Sequence, residues 1–166
     1  MNRLFAAAIA GRYLALIVFV VGGFCSAASG DDTSLHKSLD ALKAKAEQGD
    51  ANAQFNLGLA YHDGAGVPRD DAEAVKWYRQ AAAQGLAAAQ SNLGVHYHNG
   101  AGVPRDDAEA VKWYRQAAAQ GLANAQYNLG DAYHNGTGVP CDYLRAYMWL
   151  SLAAAQGVAR PARSSI

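Results

Sequence analysis

The chain has no excess of charge of either sign: fourteen basic residues balance fourteen acidic ones among 166. Such a balance gives no electrostatic footprint for a nucleic acid and none for an anionic membrane surface. Proline is scarce, at four residues, while alanine and glycine are plentiful. That composition suits closely packed helices joined by tight turns. It does not suit a disordered chain, which would be poor in apolar residues and rich in net charge. Long apolar runs are also scarce. The run from Tyr13 to Val21 falls short of the ~20 residues that a bilayer span needs, although Leu4 to Ala10 extends it past Gly11 and Arg12.

The first residues read as a leader. Arg3 and Arg12 precede the apolar run, and the small-residue exit Ser26-Ala27-Ala28 follows. This is the pattern of a secretory signal peptide over residues 1–28, cleaved after Ala28, with an uncleaved inner-membrane anchor as the alternative. Phe24 before Cys25 argues against a lipid-anchored cysteine, because such signals need a very small residue there. Removal of the leader takes Arg3 and Arg12 with it and leaves twelve basic against fourteen acidic residues, a net charge of −2. Cysteine is the other scarcity: of Cys25 and Cys141 only Cys141 would remain. Even in an oxidising compartment no internal disulfide could then form.

What the sequence has in abundance is repetition. Ala51-Asn52-Ala53-Gln54 returns as Ala87-Ala88-Ala89-Gln90 and as Ala123-Asn124-Ala125-Gln126, a period of 36 residues. The stretch Gly64 to Ala87 is identical to Gly100 to Ala123. Three repeats follow at 51–86, 87–122 and 123–158, with a linker and capping helix over 29–50 before them and a tail at 159–166.

Each repeat reads as two helices. Ala53, Gln54, Leu57, Gly58 and Tyr61 fall on one face of a first helix from about Ala51 to His62. Gly58 costs about 1 kcal/mol in a helix interior relative to alanine. Its return as Gly94 and Gly130 predicts the close approach of another helix. Gly64 ends the first helix in the left-handed conformation, and Pro68 resists its continuation. Asp70 and Glu73 predict a capping box for the second helix, repeated in Asp106 and Glu109 but lacking its reciprocal half at Asp142 and Arg145. The second helix runs from about Asp71 to Gln84, with Ala74, Trp77, Tyr78, Ala81 and Ala82 as its buried stripe. Such a hairpin cannot bury its apolar face alone, so neighbours must stack. Before the repeats, Leu39, Leu42, Ala46 and Gly49 predict a capping helix from Ser34 to Gln48, with Lys37, Asp40, Lys43, Lys45 and Glu47 facing water.

The pattern Ala-x-Ala-Gln-x-x-Leu-Gly-x-x-Tyr-x-x-Gly, then Gly-Val-Pro-x-Asp, then Ala-x-x-Trp and Ala-Ala-x-Gln-Gly, resembles the Sel1-like repeat, which is related to tetratricopeptide arrays. It covers Ala51 to Val158 three times. The resemblance implies an all-α fold, an α/α superhelix or solenoid of helix-turn-helix repeats. It also implies a non-catalytic scaffold or adaptor for protein complexes, often exported in bacteria. A subgroup linked to β-lactam chemistry carries a cysteine pair in each repeat, and this chain has none.

Candidates for chemistry were weighed against plainer roles. Gly64-Ala65-Gly66 follows a helix and lacks the third glycine of a dinucleotide fingerprint. His62, His98 and His134 recur at one register, but equivalent positions in stacked helix layers are about 10 Å apart, too far to converge on one ion bound at ~2 Å. His96 and His98, two apart, point to different sides of their helix. Each histidine then serves as a partner for the negative end of its helix. Trp77, Trp113 and Trp149 read as core. No catalytic residue, cofactor or metal site is expected.

Function is expected on the first helices. The resemblance implies binding along a concave face lined by them. Beside the Leu57/Tyr61 stripe, helical spacing presents Asn52, Phe55, Leu59 and His62 in the first repeat. The second presents Ser91, Val95 and His98, next to Ala88, and the third Asn124, Tyr127, Asp131 and His134. These positions vary while the second helices of the first two repeats do not, which is where specificity for a protein or peptide partner would sit. The third repeat replaces polar residues by Tyr143, Met148 and Leu152, so the apolar C-terminal end, or Cys141, offers a route to self-association. The expected location is periplasmic or secreted. The alternatives are an envelope enzyme or enzyme regulator of the β-lactam-related type and a truncated remnant.

Overall fold

The computed structural model describes the backbone of residues 29–158 and the side chains of residues 37–158. The expected signal segment and C-terminal tail lie outside the described residues. Among the described residues there are seven helices and no strand: α1 (Ser29–Glu47), α2 (Ala51–Asp63), α3 (Asp71–Ala83), α4 (Ala87–Asn99), α5 (Asp107–Ala119), α6 (Ala123–Asn135) and α7 (Tyr143–Ala155). The described residues divide into two compact units, one ending at residue 41 and the other beginning at residue 42. In the first, Leu39 is buried while Lys37 and Asp40 are exposed. The second holds the end of α1 and three helical hairpins, an all-α repeat solenoid. No described helix is long and apolar enough to cross a membrane.

Each hairpin closes in the same way. Gly64, Gly100 and Gly136 take φ of 73°, 68° and 70°, the left-handed conformation that costs glycine nothing. Asp70 then sits extended, and its Oδ1 accepts hydrogen bonds from the amides of Ala72 and Glu73 at 2.9 and 3.0 Å. The reciprocal half of the expected capping box is not made. The Asp70 amide donates instead to the Tyr61 carbonyl at 2.8 Å, and Glu73 accepts from Lys76 Nζ at 2.6 Å. Asp106 and Glu109 repeat this, with Tyr97 and Lys112 as partners. The physical reason is that the loop folds back over the first helix, whose last carbonyls have no partner of their own.

The helical glycines are contact points, as their recurrence predicted. A Cβ on Gly94 would lie 2.5 Å from Tyr114 Cε1 and 3.1 Å from the Ala110 carbonyl oxygen. Gly58 meets Tyr78 in the same manner, and Gly130 meets Leu150. Between hairpins, Gly102 lies so close to the start of α3 that a Cβ there would fall 2.2 Å from the Asp71 carbonyl oxygen.

The core is built between hairpins. One cluster joins Ala74, Val75, Tyr78, Ala81 and Ala82 of α3 to Ala89 and Leu93 of α4. The next joins Ala110, Val111, Tyr114, Ala117 and Ala118 of α5 to Ala125, Leu129, Ala132 and Tyr133 of α6. The tryptophans sit at the edge of this core, Trp113 packed against the first cluster and Trp149 against the second. Trp77, Trp113 and Trp149 are half-buried, and the fully buried places go to Val75 and Val111. An indole is too large to be enclosed readily; here the Nε1 atoms of Trp77 and Trp113 are buried without a partner.

Buried glutamines tie the hairpins in series. Gln90 Nε2 donates to the Ala82 carbonyl at 3.2 Å, while Gln90 Oε1 accepts from Gln120 Nε2 at 2.8 Å. Gln120 Nε2 also donates to the Gly85 carbonyl at 2.9 Å. The same set occurs at Gln54 and Gln84 and again at Gln126 and Gln156.

Two predictions follow from this packing. Replacing Gln90 by leucine removes one of the two hydrogen bonds to the Ala82 carbonyl, which keeps the Gly85 amide, and leaves part of the Gln120 amide unpaired; it should lower the unfolding free energy in urea by about 1–3 kcal/mol. Burial pushes the Tyr114 hydroxyl well above the usual tyrosine range, with Asp107 adding a smaller push the same way. The contribution of a group raised in this way is complete below its unfolded pKa of about 10 and is lost as pH rises through the folded value. Stability should therefore fall above about pH 10, and fall less steeply in Tyr114→Phe, as read from urea titrations at successive pH values.

Candidate functional site

The residues expected to line a binding face divide by exposure. Asn52, Asn124 and His98 are exposed, while Phe55, Leu59, His62, Val95, Tyr127, Asp131 and His134 are half-buried. The half-buried apolar members are already engaged. The Phe55 ring lies 5.8 Å from that of Tyr78, Leu59 packs on the α3–α4 core, and Val95 packs on the α5–α6 core. Ser91 is not presented as the spacing suggested; it is 5 % exposed. The other hairpins place rings at this register, Phe55 and Tyr127, and the short serine side chain does not reach past its neighbours.

The histidine ladder has a partner that spacing along one helix did not reveal. His62 Nδ1 lies 2.6 Å from Asp71 Oδ1, and Arg69 Nη2 donates to Asp71 Oδ2 at 3.1 Å. His98 Nδ1 lies 2.6 Å from Asp107 Oδ1, and Arg105 donates to Asp107 Oδ2 through Nε and Nη2. Burial alone would raise these two carboxyls, but the hydrogen bonds from imidazole and guanidinium outweigh it and hold both below the usual aspartate range. His134 has no such aspartate, because Tyr143 stands in its place; the two rings meet edge to face at 5.6 Å. The signal in the sequence was a His and an Asp nine residues apart in two hairpins and broken in the third.

His62 also meets a second imidazole, that of His96 rather than His98. The rings lie 5.0 Å apart at 74°. His96 is 4 % exposed, at a register where the other hairpins have Ala60 and Ala132. Its Nδ1 lies 2.9 Å from the Ala101 carbonyl oxygen. One ligand-capable atom from each of His62, Asp71 and His96 falls within 4.8 Å of the others. A cavity of about 110 Å³ adjoins the two histidines, bounded by His62, Tyr78, Asn92 and His96. One hairpin further on, a cavity of about 60 Å³ is bounded by His98, Asp107, Tyr114, Asn128 and Ala132.

The C-terminal hairpin presents a different surface. On α7, Leu144 and Tyr147 are each 73 % exposed, with Tyr143, Met148 and Leu152 also exposed. Cys141 is exposed and free, its Sγ 3.4 Å from the His134 carbonyl oxygen.

The family model of the Sel1 repeat matches residues 51–86, 87–122 and 123–158. A Sel1 repeat protein from Oxalobacter formigenes is similar in structure, with a TM-score of 0.67 and 43% identity over 74% of this chain and 92% of its own. A protective antigen present in uropathogenic Escherichia coli strains, displaying an SLR fold, gives a TM-score of 0.74 and 52% identity over 75% of this chain and 27% of its own. Helicobacter pylori cysteine rich protein B shares the fold at a TM-score of 0.60 and 18% identity, over 76% of this chain and 91% of its own. Among curated proteins, the secretory immunoglobulin A-binding protein EsiB of Escherichia coli O6:H1 is 51% identical over 44 residues, 26% of this chain. The match spans 9% of that relative's length.

The exposure pattern separates packing residues from usable probes of the face. Phe55→Ala should destabilise the chain by about 1–3 kcal/mol, because it strips a ring from the Tyr78 contact. Asn52→Ala and Asn124→Ala should stay within about 0.5 kcal/mol of the parent in urea unfolding.

Proposed function

The chain belongs to the Sel1 repeat family, and on that premise we propose that it is an envelope scaffold binding a protein or peptide along its first helices, α2, α4 and α6. Sel1 repeat proteins are generally protein-interaction scaffolds and typically non-catalytic. The observation that carries the reading is the division of labour within the repeat. Gly64 to Ala87 and Gly100 to Ala123 are identical and build loops, second helices and core. The first helices differ at positions that reach solvent at least in part: Asn52 becomes Ala88 and then Asn124, and Leu59 becomes Val95 and then Asp131. A scaffold that repeats while its accessible face varies is a device for recognition, with Asn52, His98 and Asn124 as its exposed polar contacts.

A periplasmic or secreted location belongs to the same reading. It is supported by the leader-like pattern of residues 1–28 and by relatives whose names describe a protective antigen and a secretory immunoglobulin A-binding protein. The exposed rings of α7 favour a second reading, self-association through that end. It predicts a weight-average mass in sedimentation equilibrium that rises with concentration and returns to the monomer value in a Tyr147→Lys, Leu144→Lys variant.

Site-specific photo-crosslinking tests the first reading. A benzophenone amino acid at position 52, 98 or 124 of the full chain, expressed in its native host, should capture the same protein from all three positions. The same group in place of the exposed Lys112 on α5 should not. The captured protein, once purified, should bind the parent chain and bind an Asn52→Arg, Asn124→Arg variant about tenfold more weakly, a change of about 1.4 kcal/mol. Adducts that are absent from the first helices, or equal at position 112, would overturn the proposal.

A further inference from the structure

We propose that His62, Asp71 and His96 form a site for one divalent transition-metal ion of the zinc class, clasping the first hairpin to the second. The three residues come from α2, α3 and α4, so an ion there bonds both helices of one hairpin and the first helix of the next. Imidazole nitrogens with one carboxylate oxygen are a donor set that zinc accepts, leaving a fourth position to water.

His96 carries the argument furthest. It is a polar ring, 4 % exposed, at a register the other hairpins fill with Ala60 and Ala132. A buried polar ring needs partners for its nitrogens. Nδ1 faces a carbonyl oxygen, that of Ala101 at 2.9 Å. A carbonyl can only accept, so the proton of the neutral ring sits on Nδ1 and Nε2 is left with a lone pair. Among the described residues no hydrogen bond to Nε2 is formed. A ring pinned through one nitrogen to a backbone carbonyl, with the other left basic, is the arrangement of metal-bound histidines.

The surroundings fit. The cavity of about 110 Å³ reaches both His62 and His96, with Tyr78 and Asn92 on its wall. The ligand atoms lie within 4.8 Å of one another, and a tetrahedral zinc site with bonds of about 2.0–2.2 Å draws its ligands to about 3.3–3.5 Å apart. Side-chain rotation of the half-buried His62 and Asp71 closes that gap. Coordination through His62 Nδ1 would break its hydrogen bond to Asp71 Oδ1 and leave the single proton of the neutral imidazole on Nε2, with Asp71 ionised. Arg69 is the one opposing charge on Asp71 among the described contacts, and it rests on Oδ2, leaving Oδ1 for the metal.

The chain holds its own control. One hairpin on, His98 and Asp107 are paired at the same 2.6 Å, and Tyr114 borders a matching cavity. The third donor is missing there, because Ala132 occupies the register of His96.

The test uses the full chain without a histidine tag, stripped with a chelator and titrated with zinc chloride in a calorimeter. The parent should bind one ion per chain, and its thermal midpoint should rise by several degrees with excess zinc. Cobalt should give the visible absorption of a tetrahedral site. His96→Ala, which restores the alanine of the other hairpins, should lose both uptake and thermal shift. Ala132→His should take up a second ion. Zinc uptake by His96→Ala equal to that of the parent, or none by the parent, would overturn the proposal and leave His96 as a core histidine.

Discussion

The hydrogen bonds of three buried glutamines set the geometry of the array. Gln54, Gln90 and Gln126 each reach back to a carbonyl near the end of the preceding helix, at Ala46, Ala82 and Ala118. A helix ends with carbonyls that its own backbone cannot satisfy. In this chain the glycine amide of the following turn donates to each of these carbonyls, and the glutamine of the next hairpin adds a second hydrogen bond, so the stacking that buries the alanines also reinforces the preceding helix end. The second glutamine of each hairpin, at 84, 120 and 156, locks the first and reaches the carbonyl of Gly49, Gly85 or Gly121. A buried amide held by several bonds tolerates little displacement. This fixes the offset between hairpins, and the close contacts of Gly102 and Gly138 on the preceding α3 and α5 depend on that offset.

With the offset fixed, small residues can do the rest. The core between hairpins is largely alanine; the larger side chains are Val75, Tyr78 and Leu93 in one cluster and Val111, Tyr114, Leu129 and Tyr133 in the next. Alanine contributes little burial by itself, but it lets helix axes approach, and the helical glycines let them approach further. Tyr78 and Tyr114 use the space left by Gly58 and Gly94. In the third hairpin Leu150 takes that place against Gly130. The arginines add a surface tie between neighbours: Arg79 donates to the Tyr97 hydroxyl at 2.7 Å and Arg115 to the Tyr133 hydroxyl at 2.9 Å. Such a structure is quasi-one-dimensional, each hairpin depending on its neighbours.

Most of this fold was legible because repetition multiplies a weak signal. One glycine inside a helix is ambiguous, whereas Gly58, Gly94 and Gly130 at one register announce a contact. The helices, their ends and the glycine contacts could be read in this way. The capping box could not, because Glu73 satisfies the sequence pattern whether it turns back to Asp70 or forward to Lys76. Only the loop's approach to the Tyr61 carbonyl decides between them. The tryptophans pack at the core's edge and are only half-buried; recurrence shows that a position matters and not that it is enclosed.

The histidines show where reading by register fails in principle. Comparing His62 with His98 and His134 asks whether equivalent positions meet, and in a stacked array they do not. Contacts between hairpins join unlike positions: His62 meets His96, which stands two residues before His98, the equivalent of His62, in the last turn of the next first helix. His96 stood out in the sequence only as a departure from Ala60 and Ala132, and a departure inside a near-identical repeat is informative, because the framework needs nothing but alanine there. A buried imidazole is harder to accommodate than a methyl group unless its nitrogens are satisfied. The second hairpin holds this ring beside His62 and Asp71 of the first. The third hairpin offers the same surroundings to an alanine. Chemistry in a solenoid of this kind therefore arises at the joints, where one changed residue faces two that the repeat already supplies.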